Sequence, residues 1–493
     1  MTARRERRRE LWASLGAVGV RAWHSPTMMT WGSFLTRSLS IVVVLPLILT
    51  RLSAAEVVVW YLFRSFITLQ LQADVGFSPT FARVIAFALG GLDDSQLRDL
   101  RQPVTVPKGA QPNWRAVERI CATMRVIYTR LTMLATLLLL TVGTLTVARP
   151  IGFLEAPGTG WLAWGLVVAA SVVILRGNLY SAYLQGLNRV ALVRRWEALM
   201  NVGQIGTTIL VLLLGGGLVG LVVAHQGWML LNVVRNWLLA RHVVEGRFRQ
   251  FTDRRVHAQI MDSVWPSAWR SGLGVLIGQA PLQFSGMVYA QIADAGRVAA
   301  YLFSMHLLTA IRNFSMAPFY SKIPRLARLR ARADLQELIR VSTRGMRLAH
   351  WTYVLLFVGV GLGAGAIIRL IGSNVDFIPV FLWAMFGAAG FVERFGAMHL
   401  QLYSTTNHIV WHIANGVTGT VFAVIAAVLF PIMDWYGFAV AYLAAYLAFY
   451  APYTARLSYA SMKITFLRLE RSVVLGPAAV VLAYLVAAAR MSW

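Results

Sequence analysis

Cysteine, lysine and acidic residues are all scarce in this sequence. The single cysteine, Cys121, excludes an intramolecular disulfide and any metal cluster built from cysteines. Aspartate and glutamate together number 20 among 493 residues. Charged residues make up only 13% of the chain, whereas a typical soluble protein has about 25%. With 58% hydrophobic residues and a mean hydropathy of +0.61, this shortage of charge argues against a soluble enzyme and indicates a chain that lies mostly in lipid.

Arginine supplies nearly all of the positive charge. Only three of the 46 basic residues are lysines, Lys108, Lys322 and Lys463, and the formal net charge is +26. Two explanations stay open: the codon usage of a GC-rich genome, or a functional need for a permanent charge that holds phosphate bidentately. Because the basic residues lie mainly between apolar runs, they indicate membrane topology rather than nucleic-acid binding.

Apolar runs long enough to cross a membrane recur along the chain. A spanning helix needs roughly 20 apolar residues, and hydropathy predicts twelve core spans. A thirteenth apolar run, at 472–489, is predicted to span the membrane, to lie on its surface or to form half of a hairpin. The total number of transmembrane helices is then 12, 13 or 14. The predicted core spans are 29–50, 55–74, 126–148, 161–185, 196–214, 218–240, 264–287, 297–321, 350–371, 377–398, 408–430 and 436–456.

Basic residues occupy alternate loops. Five connecting segments are rich in arginine: 91–125, 186–195, 241–262, 322–348 and 456–471. Four others carry one basic residue or none: 149–160, 288–296, 372–376 and 431–435. Since basic loops mark the cytoplasmic side, the chain is predicted to be a multi-pass protein of the bacterial inner membrane with a cytoplasmic N-terminus. The basic stretch 325–347 is expected to lie on anionic lipid headgroups.

Two weak internal echoes divide the core spans into two sets of six. Arg37 and Arg270 each lie in the first span of a set, and the sequence Tyr-Leu-Phe occurs at 61–63 and again at 301–303. Internal repeats are frequent in secondary transporters. The predicted organisation is a basic cytoplasmic or interfacial arm (1–28), a six-helix lobe (29–240), a basic cytoplasmic linker (241–263), a second six-helix lobe (264–456) and a cytoplasmic segment with an extra apolar helix (457–493).

Five arginines are predicted to lie at membrane depth: Arg37, Arg64, Arg176, Arg270 and Arg312. Each costs about 2.5–3.5 kcal/mol on insertion scales, and more by simulation. They either line a hydrated cavity that binds an anion such as a diphosphate, or extend to the membrane interface. Glu393 is the only clearly deep carboxylate and the one candidate for ion coupling. This imbalance argues against a proton- or sodium-coupled drug exporter.

Short motifs mark the ends of several spans. Span 2 ends at Asp74 and Gly76, and a basic amphipathic segment restarts through Arg83; Asp74 is expected to cap that segment or to pair with Arg83. Span 4 ends in a turn that contains Gln185, Gly186 and Arg189. A glycine-rich turn at 215–217 opens span 6, and Thr-Thr-Asn-His at 405–408 follows span 10.

These motifs, in this order, resemble the O-antigen and oligosaccharide flippases (the polysaccharide transporter family) of the multidrug, oligosaccharidyl-lipid and polysaccharide exporter superfamily. The resemblance covers most of residues 29–456. It implies an all-α integral membrane protein of two pseudo-symmetric six-helix lobes around a central cationic cavity. It also implies that the protein flips an oligosaccharide linked to an undecaprenyl-diphosphate-type lipid, for surface polysaccharide (lipopolysaccharide O-antigen) biosynthesis. Expected partners are this lipid, membrane lipids, a polymerase and glycosyltransferases.

Three other functions stay open. Two share the superfamily: a flippase of another lipid precursor, and an ion-coupled drug exporter. The third is a membrane-embedded glycosyltransferase, polymerase or ligase, which usually carries an acidic pair in its first outer loop; the loop at 50–54 has Arg51 and no acid. No cofactor is expected, because the glycine run 215–217 lacks the following Lys-Ser/Thr of a nucleotide-binding loop. No metal is expected, because His408 and His412 lack a third ligand. No nucleic acid is expected as a partner.

Overall fold

The computed structural model describes residues 43–91, 111–253, 255–332, 334–406, 408 and 410–491, and these residues contain no β-strand. Arg37, the arm 1–28 and most of the first predicted span lie outside them; the end of that span is helical at 43–51. The helices of the first half are α1 (Ala54–Ala73), α2 (Ser78–Leu89), α3 (Trp114–Leu138), α4 (Thr144–Gly152), α5 (Pro157–Gly186), α6 (Val190–Leu213), α7 (Gly217–His242) and α8 (Arg247–Gln250).

The second half follows the linker. Its helices are α9 (Ala258–Tyr289), α10 (Ala295–Ser315), α11 (Ala317–Tyr320), α12 (Ile323–Ala331), α13 (Leu335–Leu370), α14 (Val380–Ser404), α15 (Trp411–Met433), α16 (Trp435–Ala445), α17 (Ala451–Met462), α18 (Phe466–Val473) and α19 (Leu475–Met491). Single π-helical turns join α3 to α4 and α16 to α17, so each of these pairs is one nearly continuous helix.

Local sequence signals set many of the helix ends. Asn113, Asp294 and Asp334 each accept a hydrogen bond from a backbone N–H three residues further on, at the starts of α3, α10 and α13. Proline occupies one of the first two positions of α2, α5, α11 and α12, where its missing N–H costs nothing.

The predicted all-helical membrane fold is confirmed. Each predicted span from the second to the twelfth coincides with a helix. Nine helices of the described part are long and apolar enough to cross a membrane, and a tenth follows if the bent pair α18–α19 counts as one span. The predicted spans α9 and α10 are not among the nine. Both pack against α1, so part of their surface faces protein rather than lipid.

The second helix of each half lies at the contact between the halves. These helices are α1 and α10, which pack together and carry the repeated Tyr-Leu-Phe segments. Both segments are buried, and they belong to the larger apolar cluster, which unites α1 with most of the second half. A smaller cluster holds together the ends of α2, α3, α5 and α9 on the side that the loops predict to be cytoplasmic.

The basic linker is attached to α3. Glu118 accepts hydrogen bonds from the backbone N–H groups of Thr252 and Asp253, at 2.8 and 3.1 Å. The backbone N–H of Arg255 and the side chain of His257 hold the pKa of the Asp253 carboxyl below its usual value. The linker is therefore ordered by specific contacts although its composition is that of a loop.

The basic stretch 325–347 belongs to two helices. It covers α12 and the first turns of α13, whose 36 residues span roughly 54 Å at 1.5 Å per residue. Arg330 donates to the carbonyl of Ser461 at 2.7 Å and fixes α12 to the end of α17. Burial, with Arg344 and Arg325 nearby, lowers the pKa of Lys322, which lies just before α12.

The terminal apolar run forms α19, which bends by 60° from α18. It packs against α13 and α14, where the Tyr484 ring lies 5.2 Å from that of Phe357. Glu470 of α18 is completely buried, close to His399 at 3.3 Å and accepting from the Tyr459 hydroxyl at 3.0 Å. The terminal segment is thus an integral part of the second half.

Candidate functional site

Arg64 lies near the middle of α1, deep in the predicted membrane. Its guanidinium donates to Nε2 of His225 at 3.1 Å, and it lies over the Trp60 ring, 5.9 Å from the centroid. His225 belongs to α7, and its ring meets that of Trp60 edge-on at 5.8 Å. An arginine, a histidine and an indole from two helices of the first half therefore form one polar group inside an apolar bundle.

The hydrogen bond from Arg64 determines the state of His225. Arginine can only donate, so Nε2 must be the acceptor and the proton lies on Nδ1 of a neutral ring. That Nδ1 is buried and has no partner among the described residues, and the same is true of the Tyr61 hydroxyl and both amide atoms of Gln226. Buried polar atoms are normally satisfied by water or a ligand, so these side chains favour a hydrated region around α1 and α7.

The second half contributes His306 to this region. The rings of Tyr61 and His306 lie 5.2 Å apart, and α10, which carries His306, packs along α1. Arg64 is close enough to act electrostatically on both His225 and His306. The site thus combines residues of α1, α7 and α10, at the surface along which the two halves meet.

Arg312 lies six residues beyond His306 on α10, but it is buried in an ion-pair cluster instead of an open cavity. Its Nη2 and Nε contact the two carboxylate oxygens of Glu393 at 2.9 and 3.1 Å, and Arg394 donates to the same carboxylate. The side chains of Arg312 and Glu393 are 6% and 7% exposed. The expectation that Arg312 faces a hydrated cavity therefore does not match this conformation.

Tyrosines surround that cluster. Tyr442, Tyr446 and Tyr450 pack edge to face in sequence, with ring centroids 4.8 and 4.9 Å apart. They lie within electrostatic reach of Arg312 and Glu393. The π-helical turn at Tyr446–Tyr450 aligns these rings along one side of the helix. Two arginines and one glutamate leave a net charge of +1 in this buried group, and the aromatic rings are its neighbours.

Arg176 and Arg270 occupy separate places. Arg176 is exposed on α5, where it lines a groove formed within the first half. Arg270 is exposed on α9, 5.8 Å from the centroid of the Trp269 ring, and acts electrostatically on His412 of α15. The structure therefore does not bring Arg176 together with Arg64, and Arg37 lies outside the described residues.

The motif that ends span 2 forms a one-turn 3-10 helix between α1 and α2. The Tyr128 hydroxyl donates to Asp74 at 2.5 Å, and α2 has no side-chain cap. Asp74 thus connects α1 to α3 instead of capping α2, and Arg83 is exposed. Gly76 packs directly on α9: a Cβ there would lie 2.0 Å from the carbonyl oxygen of Ala268.

The motif that ends span 4 closes α5. Gln185 donates to the hydroxyl of Ser181 at 3.0 Å. A Cβ on Gly186 would lie 2.7 Å from Cβ of Ile85, so this glycine permits close packing of α5 on α2. Arg189 is exposed just before α6 and follows Asn188, whose φ is +58°. Both motifs therefore shape helix ends, and Gly76 in particular joins the two halves.

Sequence reasoning did not identify the histidines of this site. His225 and His306 were two of nine scattered histidines, and no spacing connects them with Arg64 because the contact depends on the packing of three helices. One signal was available: each is an ionisable residue inside an apolar span, as the deep arginines are.

Comparison with known proteins reveals similarity in fold but not in sequence. No family model matches the sequence, and no curated protein matches it significantly. The lipid II flippase MurJ, in an inward closed conformation, superposes with a TM-score of 0.60 at 10% identity, covering 94% of this chain and 98% of that one. A multidrug resistance MATE family transporter of the MOP superfamily, in an inward-facing conformation, superposes with a TM-score of 0.57 at 14% identity, covering 87% and 99%.

The chain has the fold of these transporters. One of these solved structures is thus described as a flippase and the other as a transporter of the MOP superfamily.

Proposed function

We propose that this protein flips an oligosaccharide linked to a polyprenyl diphosphate from the cytoplasmic to the outer leaflet of the inner membrane. The two halves would alternate in exposing a shared site to either side, and the product would serve surface polysaccharide biosynthesis. Glycosyltransferases would supply the substrate and a polymerase would use it after it is flipped.

The position of Arg64 carries the proposal. It is a permanent cation near the middle of a spanning helix, between a histidine of the first half and a histidine of the second. A diphosphate that crosses the membrane needs charge-assisted hydrogen bonds to replace its water, and guanidinium supplies them bidentately. Arg270, with Arg37 outside the described residues, remains a candidate for a second contact.

The ion-coupled drug exporter is a weaker candidate. Such a carrier needs a deep carboxylate that is free to bind a cation. Glu393 has both of its oxygens occupied by Arg312 and Arg394. Its charge is therefore compensated, and the group as a whole is cationic.

A flippase of another lipid precursor is the second candidate. The similarity in fold to the lipid II flippase MurJ favours it, and lipid-linked precursors share the diphosphate that Arg64 would bind. The two candidates differ in the sugar attached to the lipid, and therefore in which precursor accumulates when the protein fails.

The test replaces Arg64 by glutamate in cells that depend on this protein. Loss of one charge-assisted contact costs about 1.5–3 kcal/mol, so glycan export should fall by roughly tenfold or more, with lipid-linked oligosaccharide accumulating. Arg456→Glu is the matched control, since Arg456 is exposed near the cytoplasmic end of α17. Accumulation of a cell-wall precursor instead would favour the second candidate, and normal export by a stably inserted Arg64→Glu protein would refute both.

A further inference from the structure

A second cationic site lies wholly within the first half. A groove of about 700 Å³ opens between α3, α5, α7 and the short helix α8. Five arginines line it: Arg125, Arg130, Arg176, Arg241 and Arg249. Its described lining contains no carboxylate, so its charge is not compensated from within.

Three acidic side chains near the groove or the linker are bound elsewhere, and one of them, Asp74, accepts from the hydroxyl of the lining residue Tyr128. Glu118 holds the backbone of the linker, and Asp253 is paired with His257 at 2.7 Å. The groove arginines instead contact aromatic rings or a neutral acceptor: Arg241 lies 4.6 Å from the centroid of Trp237, Arg125 lies 5.3 Å from that of Phe248, and Arg249 donates to His242 at 3.0 Å. The aromatic rings position these guanidiniums without neutralising them.

Exposed apolar stripes lead from the groove toward the predicted outer side. On α3 the exposed residues after Arg130 are apolar at helical spacing, as at Met133 (66% exposed) and Leu137 (58%). On α7 the stripe of Leu231, Val234 and Leu238 runs toward Arg241. In the most apolar stretch of the segment Trp114–Gly152, only 22% of the residues are buried.

A corresponding stripe lies on α5. Leu162, Val172 and Val173 are exposed and lead to Arg176. Three helices therefore place arginine at the same end of an apolar exposed face, the arrangement of a lipid with its headgroup at the arginines and its chains along the leucines and valines. A hydrated substrate path would be polar instead.

We propose that this groove binds an anionic phospholipid with two phosphate groups, of the diphosphatidylglycerol type, from the leaflet next to the basic loops. A phospholipid with a single phosphate diester would leave most of the five guanidiniums without an anion to bind. In a lipid with two phosphates, each phosphate can accept hydrogen bonds from two or more of these guanidiniums. The site is separate from Arg64, and it assigns Arg176 to a membrane lipid rather than to the substrate.

Native mass spectrometry of the purified, delipidated full-length protein tests this. Diphosphatidylglycerol should bind with at least a tenfold lower dissociation constant than phosphatidylglycerol or phosphatidylethanolamine. The double variant Arg130→Gln/Arg176→Gln should weaken that binding about tenfold or more, because both side chains are exposed and their loss removes two phosphate contacts without disturbing the core. Arg241→Gln is a second, independent variant, and Arg456→Gln is the matched control.

Two results would overturn the proposal. One is equal affinity of the wild-type protein and both groove variants for diphosphatidylglycerol, with thermal unfolding showing all of them folded. The other is displacement of the lipid by equimolar inorganic pyrophosphate, which would make the groove a site for free anions. Neither result bears on Arg64, so the flippase proposal is tested separately.

Discussion

At the scale of single residues, Arg64 and Arg312 differ in the partners that the structure gives them. Arg312 shares Glu393 with Arg394 and is almost fully buried, whereas Arg64 meets a neutral histidine at the contact between the halves. The sequence predicted the depth of both residues from hydropathy. It could not predict that a glutamate 81 positions away pairs with Arg312, because that depends on the rotation of α10 relative to α14.

The buried cluster predicts unequal effects of removing its members. Glu393→Gln leaves two buried guanidiniums without a counter-charge and should destabilise the protein by about 3–5 kcal/mol. Arg394→Gln leaves the bidentate Arg312–Glu393 pair intact and should cost distinctly less. The midpoint of thermal unfolding in detergent measures both, and an equal or reversed order would contradict the described pairing.

At the scale of helices, glycines and short turns determine how the halves meet. The sequence predicted turns at 74–76 and 185–189 from their glycines, and both occur. It did not predict the partners, since Asp74 bonds Tyr128 and Gly76 packs on α9. The residues of a turn determine its own conformation, whereas the residues that the turn contacts depend on how another helix packs beside it.

Gly76→Ala tests this contact. Its Cβ would overlap the backbone oxygen of Ala268, which cannot move without shifting α9. Overpacking of this kind costs roughly 1–3 kcal/mol, so the unfolding midpoint should fall. Gly165→Ala is the matched control, because nothing lies within 4 Å of a Cβ at that position of α5. Equal midpoints for the two variants would show that Gly76 does not mediate a close contact.

At the scale of the whole molecule, composition and hydropathy predicted the fold. The alternation of apolar runs and basic loops is a property of the entire chain, so an error at one position does not change the prediction. The predicted membrane spans between residues 55 and 456 therefore coincide in order with helices of the structure. The five deep arginines were predicted either to line one hydrated cavity or to extend to the membrane interface. In the described structure Arg312 lies in the Glu393 cluster and Arg176 lines a groove apart from Arg64, because depth in the membrane does not specify which side of a helix a residue occupies.

Topology gives a prediction for the intact protein. In a Cys121→Ser background, Glu155→Cys should react with a membrane-impermeant maleimide in whole cells, and Arg255→Cys should react only after the membrane is opened. Both positions are exposed, in a predicted outer loop and in the basic linker respectively. The opposite labelling pattern would contradict the predicted orientation and show that the basic linker lies outside.

Transbilayer movement of a defined lipid is the most direct measurement of the proposed function. Purified protein in proteoliposomes should carry a fluorescent polyprenyl-diphosphate-linked oligosaccharide between leaflets, as shown by its loss of protection from a membrane-impermeant quencher. Arg64→Gln should reduce the rate by about tenfold or more, while Arg456→Gln should not. Movement at the rate of protein-free liposomes, or a rate unchanged by Arg64→Gln, would contradict the account.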